Sequence, residues 1–146
     1  MTTSGTIDTI LHHKGAAVWT ISPQATVFEA IRLLAAKNVG ALPVMDGDKL
    51  VGMFSERDYT RKVALEGKTS HTTKVGEILS ANVATISPHD SVEEAMRLMT
   101  EKHIRHLPVV EGSRMVGLVS IGDMVNWIIS AQNATIDQLE AYLAGR

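Results

Sequence analysis

There is no cysteine in this chain of 146 residues. That absence excludes a disulfide, a thiolate nucleophile and any zinc site built on sulfur. Aromatic residues make up only 4%, so the core has to be assembled from Ala, Val, Ile, Leu and seven Met. Excess charge is missing too: a net charge of -2 lacks the basic surplus of a general nucleic-acid binder. No apolar run approaches the roughly 18 residues that cross a bilayer. The start of the chain shows none of the basic-then-apolar pattern of an export signal. A cytoplasmic protein with no membrane or nucleic-acid partner is expected.

Signatures of catalysis are also lacking. No Gly-x-Ser-x-Gly, Walker-type or Gly-x-Gly-x-x-Gly motif occurs, nor any nucleophile-base-orienter pattern, so no enzyme and no catalytic residue is expected. Six histidines are present. His12 and His13 are adjacent and would diverge on a helix, and His103 and His106 find no third ligand in the sequence, so no metal is expected.

What the chain does contain is an ordinary globular composition, 45% apolar and 21% charged, enough for one compact core or two fused half-cores. It also contains a repeat. Shifted by 65 residues, Thr20–Arg61 lies over Thr85–Asn126 without a gap, and 18 of these 42 positions are identical. Thr20-Ile21-Ser22-Pro23 becomes Thr85-Ile86-Ser87-Pro88, Leu42-Pro43-Val44 becomes Leu107-Pro108-Val109, and Val51-Gly52 becomes Val116-Gly117. Two repeats are too few for a solenoid and fit two halves packed face to face.

Each half reads as β-α-β-β-α. A short apolar run (Val18–Ile21; Val83–Ile86) ends at Ser-Pro, where proline keeps its predecessor extended. Thr26-Val27-Phe28-Glu29 and Ser91-Val92-Glu93-Glu94 are capping boxes that start a helix. Val27, Ala30, Ile31 and Leu34 then follow helical spacing, as do Val92, Ala95, Met96 and Met99. Two β-branched runs around Asp46-Gly47 and Glu111-Gly112 predict hairpins. A second helix is expected from Glu56 to about Glu66, and from Ile121 to about Ser130. Ile7, Ile10 and Leu11 predict a leading helix, with Val75, Ile78 and Leu79 as its counterpart. The expected organisation is repeat one with its leading helix over 7–67, a linker over 68–74 and repeat two over 75–130. A separate C-terminal helix over 133–146 is expected to start at the capping box Thr135-Ile136-Asp137-Gln138.

Two such repeats, each with a Leu-Pro-Val strand and a Val-Gly-x-x-Ser-x-x-Asp strand-to-helix junction, resemble a pair of CBS domains of mixed α/β (α+β) class. The resemblance runs from about Ile7 to Ile129 and implies a non-catalytic regulatory module. Such a module binds an adenosine-type ligand in the cleft between the repeats and signals to a separate effector protein. AMP is the first expectation, with ATP, NAD(H) and S-adenosylmethionine as alternatives. It also implies a homodimer, with the stripe Ile136, Leu139 and Leu143 adding to the contact or covering a groove. A structural dimerisation module with vestigial pockets is the alternative.

The resemblance implies two sites. Asp58 and Asp123 would accept the ribose hydroxyls, with Ser55 and Ser120 beside them. A carboxylate bridges adjacent hydroxyls well, and a helix N-terminus favours phosphate. Ser-x-x-Asp is also close to a capping box, so ligand binding and capping are both open from the residues, and they are compatible. The adenine slots would be formed by Trp19, Thr20 and Ile21 with Ala41, Leu42 and Pro43, and by Val83, Thr85 and Ile86 with His106, Leu107 and Pro108. Taken singly, their Val, Ile and Leu members read as plain core. Arg105 and His106 resemble paired basic residues that meet phosphates, and Arg57 stands in the first turn of its helix. Repeat two has Gly122 there, so the two sites are expected to differ.

Overall fold

The computed structural model describes residues 5–15 and 17–144, leaving aside the side chains of residues 134, 135 and 142. In chain order the elements are α1 (Ile7–Lys14), α2 (Val27–Lys37), β1 (Ala41–Asp46), β2 (Lys49–Ser55), α3 (Glu56–Tyr59) and a π-helical turn (Thr60–Ala64). They continue with α4 (Val75–Ile78), α5 (Val92–Lys102), β3 (His106–Glu111), β4 (Arg114–Ser120) and α6 (Ile121–Ala144). The fold is the expected mixed class, with two antiparallel hairpins, β1-β2 and β3-β4.

The two predicted capping boxes are formed. Thr26 Oγ1 accepts from Glu29 N at 3.1 Å while Glu29 Oε1 accepts from Thr26 N at 3.2 Å. The Ser91–Glu94 pair does the same. Both helices end on a left-handed residue that is not glycine, Asn38 (φ 54) and His103 (φ 55). His103 therefore has a capping job of its own. The expected first strands are each reduced to a single parallel bridge, Ile21 to Val44 and Ile86 to Val109. Ile21 N donates to Pro43 O, and Met45 N to Ile21 O. Pro23 and Pro88 follow within two residues and leave no length for a ladder. The helix expected to reach Glu66 is α-helical only to Tyr59 and then widens into the π turn, where Leu65 N donates to Thr60 O.

The described residues form two compact units. One holds Ala17–Thr85 with Val110–Val116, and the other holds α1 with Ile86–Val109 and the chain from Gly117 onward. The core of the first is Val27, Ala30, Leu34, Leu42, Val44, Phe54, Val63, Val75 and Ile78. The second buries Ile7, Ile10, Ile86, Val92, Ala95, Met99, Leu107, Val109, Val119 and Met124. The leading helix, read from sequence as part of repeat one, is anchored on repeat two: Ile7 N donates to Asp90 O, and Asp8 N to Pro88 O, both at 2.9 Å. α4 makes the matching bonds in the other unit, Val75 N to Ala25 O and Gly76 N to Pro23 O. A second difference is at the end of the chain. The helix after β4 does not stop near Ser130; α6 runs unbroken for 24 residues. Nothing between Ser130 and Ile136 breaks a helix, since the segment has neither Gly nor Pro, and propagation is easier than a new nucleus.

In each hairpin one glycine lets another segment come close. A Cβ on Gly52 would lie 2.6 Å from Leu79 Cδ1 and 2.8 Å from the carbonyl oxygen of Ser80, whereas one on Gly117 would meet only the end of Leu11, at 2.6 Å from Cδ2. The Ser80 carbonyl belongs to the bridge with Met53 and cannot swing aside, but a leucine tip can. Gly52→Ala should therefore destabilise by about 1–3 kcal/mol, the range for overpacking, and Gly117→Ala by clearly less, as read from urea unfolding. Equal losses would show that the carbonyl is not the rigid partner.

Candidate functional site

β2 passes directly into α3, and β4 into α6, so each junction has to turn an extended chain into a helix at one residue. Ser55 does so with extended torsions, φ -133° and ψ 166°. Its Oγ accepts from Asp58 N at 3.2 Å, and Asp58 Oδ2 accepts from Ser55 N at 2.9 Å. In the second repeat Ser120 Oγ accepts from Asp123 N at 3.1 Å, and Asp123 Oδ2 from Ser120 N at 2.8 Å. Capping is thus realised in both halves, and each aspartate uses one oxygen for it.

What reaches the rest of each carboxylate differs. Asp58 Oδ1 accepts from Ser80 Oγ at 3.2 Å and pairs with Lys62 Nζ at 3.1 Å, and its side chain is 12% exposed. Asp123 is paired with Lys14, whose Nζ lies 2.7 Å from Oδ2 and also donates to Leu118 O at 2.8 Å. Among the described residues nothing donates to Asp123 Oδ1. Lys14 is the last residue of α1. Sequence reasoning did not place this lysine on the aspartate; an unmatched cation near an otherwise repeated motif was the only signal.

Around the expected adenine slots the residues divide. Ala41, Leu42 and Pro43 are buried, Ile21 is half-buried and held against them by its two backbone bonds, and Trp19 and Thr20 are exposed. The Trp19 ring is covered by Lys37, with Nζ 4.1 Å from its centroid. One face of the ring is thus taken by a cation–π contact. In the second repeat Ile86, Leu107 and Pro108 are buried and His106 half-buried. Val83 and Thr85 group with the other unit. Leu42 and Leu107, both fully buried, serve the core. A cleft of about 350 Å³ is lined by Ile31, Asn38, Val39 and Tyr59, and one of about 220 Å³ by His13, Lys14, Asp123 and Trp127. Only the second contains an expected site residue. Arg57, Arg61 and Arg105 are exposed. Among the described residues no three of His, Asp and Glu converge on a point.

Among the described residues, His106 is the one titrating group clearly displaced from its ordinary value. Burial pushes its pKa down, Asp123 pulls it back up, and the positive charges of Lys14 and Arg105 push it down further. A neutral imidazole thus sits beside a lysine, an arginine and a carboxylate, a cluster that an anionic group would complete.

The family model described as "CBS domain" matches residues 16–65 and 75–130. The mitochondrial CBS domain-containing protein CBSX3 of Arabidopsis thaliana is 36% identical over 97% of this chain and 73% of its own length. The structure of a putative signal-transduction protein with CBS domains from Burkholderia ambifaria is 44% identical. It superposes with a TM-score of 0.84, over 88% of this chain and 96% of that one. A CBS domain pair solved in complex with 5'-methylthioadenosine and S-adenosyl-L-methionine gives a TM-score of 0.77 at 25% identity, over 88% of this chain and 98% of that one.

The displaced pKa gives a pH dependence with a definite sign. The unfolded imidazole binds its proton near pH 6.5, whereas folded His106 resists protonation until lower pH. The stability contributed by the neutral form is complete above about pH 6.5 and is lost as the pH falls from there through the folded value. His106→Gln should flatten the decline in urea-unfolding stability between pH 7.5 and 5.5. A slope identical to the parent's would show that His106 titrates as it does in the unfolded chain.

Proposed function

This chain belongs to the CBS-domain family, and from that premise we propose that it is a non-catalytic cytoplasmic sensor of adenosine-containing nucleotides. Its ligand is AMP in the first instance, with ATP or NAD(H) as alternatives, and it passes the signal as a homodimer to a separate effector protein. The observation that carries this reading is the recurrence of the Ser-x-x-Asp junction in both repeats, with one carboxylate oxygen of Asp123 unclaimed among the described residues. A solved CBS pair with adenosine-type ligands supports the ligand class.

The proposed roles follow from the contacts. Asp123 Oδ1 accepts a ribose hydroxyl, and Lys14 yields Oδ2 to the second. Arg105 and His106 then meet phosphate, and His106 gains a proton as the negative charge arrives. Asp58 holds the corresponding place in repeat one. Its Oδ1 is already taken by Ser80 and Lys62, so a ligand there has two partners to displace and binds more weakly. Ser55 and Ser120 keep the carboxylates in register. Trp19 offers a ring to adenine once Lys37 moves, with Thr20, Ile21, Ala41, Leu42 and Pro43 beside it. Ile86, Leu107 and Pro108 line the corresponding slot in repeat two. Arg57 adds positive charge that repeat two lacks.

The second reading, a structural module whose pockets are vestigial, is favoured by one observation: both oxygens of Asp58 are used by the chain itself. Calorimetry separates the two. Asp123→Ala should weaken AMP binding at least tenfold and keep a cooperative melt, since loss of a cap costs about 0.5–2 kcal/mol. Asp58→Ala should change the tighter binding step little. A ligand that binds only the folded state raises its melting temperature. AMP should do so more than adenosine, and Arg105→Ala should shrink that difference. If AMP, ATP and NADH neither bind nor stabilise the parent, the sensor reading fails and the structural one stands.

A further inference from the structure

α6 outlasts the family match by about four turns, since the match ends at residue 130 and the helix at Ala144. Along it five large apolar side chains remain exposed: Val125, Ile129, Ile136, Leu139 and Leu143, at 43%, 49%, 51%, 59% and 59%. With exposed Gln132 they fall at successive spacings of four, three, four, three and four residues. Alternating steps of four and three are the a/d pattern of a two-helix seam, and the stripe stays exposed rather than lying on the core. The seam is about 27 Å long. Written as a heptad, Ile129, Ile136 and Leu143 take the a positions, and Val125, Gln132 and Leu139 the d positions.

We propose that α6 pairs with α6 of a second copy as a parallel, in-register two-stranded coiled coil. This rests on the homodimer reading above and goes beyond it by naming the surface and its orientation. β-branched residues at a with leucine at d, as in Ile129, Ile136 and Leu139, favour two parallel strands. Gln132 sets the register. In a parallel pair it faces its own copy, and two amides, each both donor and acceptor, hydrogen-bond across the seam. In the antiparallel pair that best aligns the same positions, Val125 would face Leu143, Ile129 would face Leu139, and Gln132 would face Ile136. The amide would then be buried against a hydrocarbon with no partner. Charge permits the self-pairing. Of the described flank positions Asn126, Ile128, Asn133 and Glu140, one is charged, and in the parallel pair it lies on the opposite side of the seam from its copy. A seam shorter than three heptads is weak alone, so it acts together with the rest of the dimer contact.

The absence of cysteine makes a clean test possible. Gln132→Cys, oxidised in the otherwise cysteine-free full chain, is expected to give a covalent dimer in near-quantitative yield, since facing d positions suit a disulfide. Ala141→Cys, off the seam, should give little. Ile136→Asp, with circular dichroism confirming an intact fold, should raise the dimer dissociation constant at least tenfold by light scattering. If the parent is dimeric but Gln132→Cys does not cross-link, or Ile136→Asp leaves the dissociation constant unchanged, the seam is wrong and the homodimer reading survives. The parallel seam is equally overturned, with the homodimer intact, if only Gln132→Cys combined with Ile136→Cys cross-links. If the parent is monomeric at micromolar concentration, both readings fall.

Discussion

Each repeat depends on a strand becoming a helix with no loop between them, and the reciprocal hydrogen bonds of Ser55 with Asp58 and Ser120 with Asp123 make that turn. The constraint is geometric before it is functional. A serine in the extended region leaves the first amides of its helix unsatisfied, and an acidic residue three positions on is the shortest way to return the bond. Once there, the carboxylate is fixed at a helix N-terminus with only one oxygen committed. A rigid acceptor at the end of a strand, beside amides that favour anions, is what a ribose phosphate requires. The cap thus supplies the pre-organisation that the proposed ligand role would use.

Much of the fold was legible because it is written in local rules twice over. The capping boxes, the apolar spacing of α2 and α5 and the hairpin turns each depend on residues within a few positions of one another, and the 65-residue repeat supplied an independent copy of every reading. Where sequence reasoning went astray, the decisive partner was far away or a stop signal was absent. The first strands shrank to single bridges because their pairing is set by Val44 and Val109 rather than by their own propensity. The leading helix looked like part of repeat one by adjacency, yet its backbone bonds go to Pro88 and Asp90. The box at Thr135 resembled a helix start, but a cap pattern inside a helix already propagating has no unsatisfied amides to serve.

The candidate site was legible to a different degree. The two aspartates and their serines could be read because the motif recurs. Their surroundings could not, because Lys14, Lys37 and Ser80 reach the site from segments whose sequence carries no motif. These long-range cations and hydroxyls are also what makes the two repeats unequal. Asp58 is closed on both oxygens, by its own cap and by Ser80 with Lys62. Asp123 is closed on one oxygen only, by its cap and by Lys14 at the end of a short helix.

On the sensor reading, that difference sets which half responds to a ligand. An acceptor already satisfied by neighbours in fixed elements gains little when a ribose hydroxyl replaces them, because one set of hydrogen bonds is exchanged for another. An acceptor with one oxygen unclaimed has less to exchange. On the sensor reading, Lys14 Nζ, once released, would stand with Arg105 to meet the phosphate of the same ligand. Lowering the pKa of His106 by burial serves the same end. The imidazole stays neutral while the site is empty, avoiding a third positive charge beside Lys14 and Arg105, and can take up a proton when an anion arrives. On the sensor reading, repeat two is the half whose charge state would change on binding, and α6 begins at Asp123's own junction.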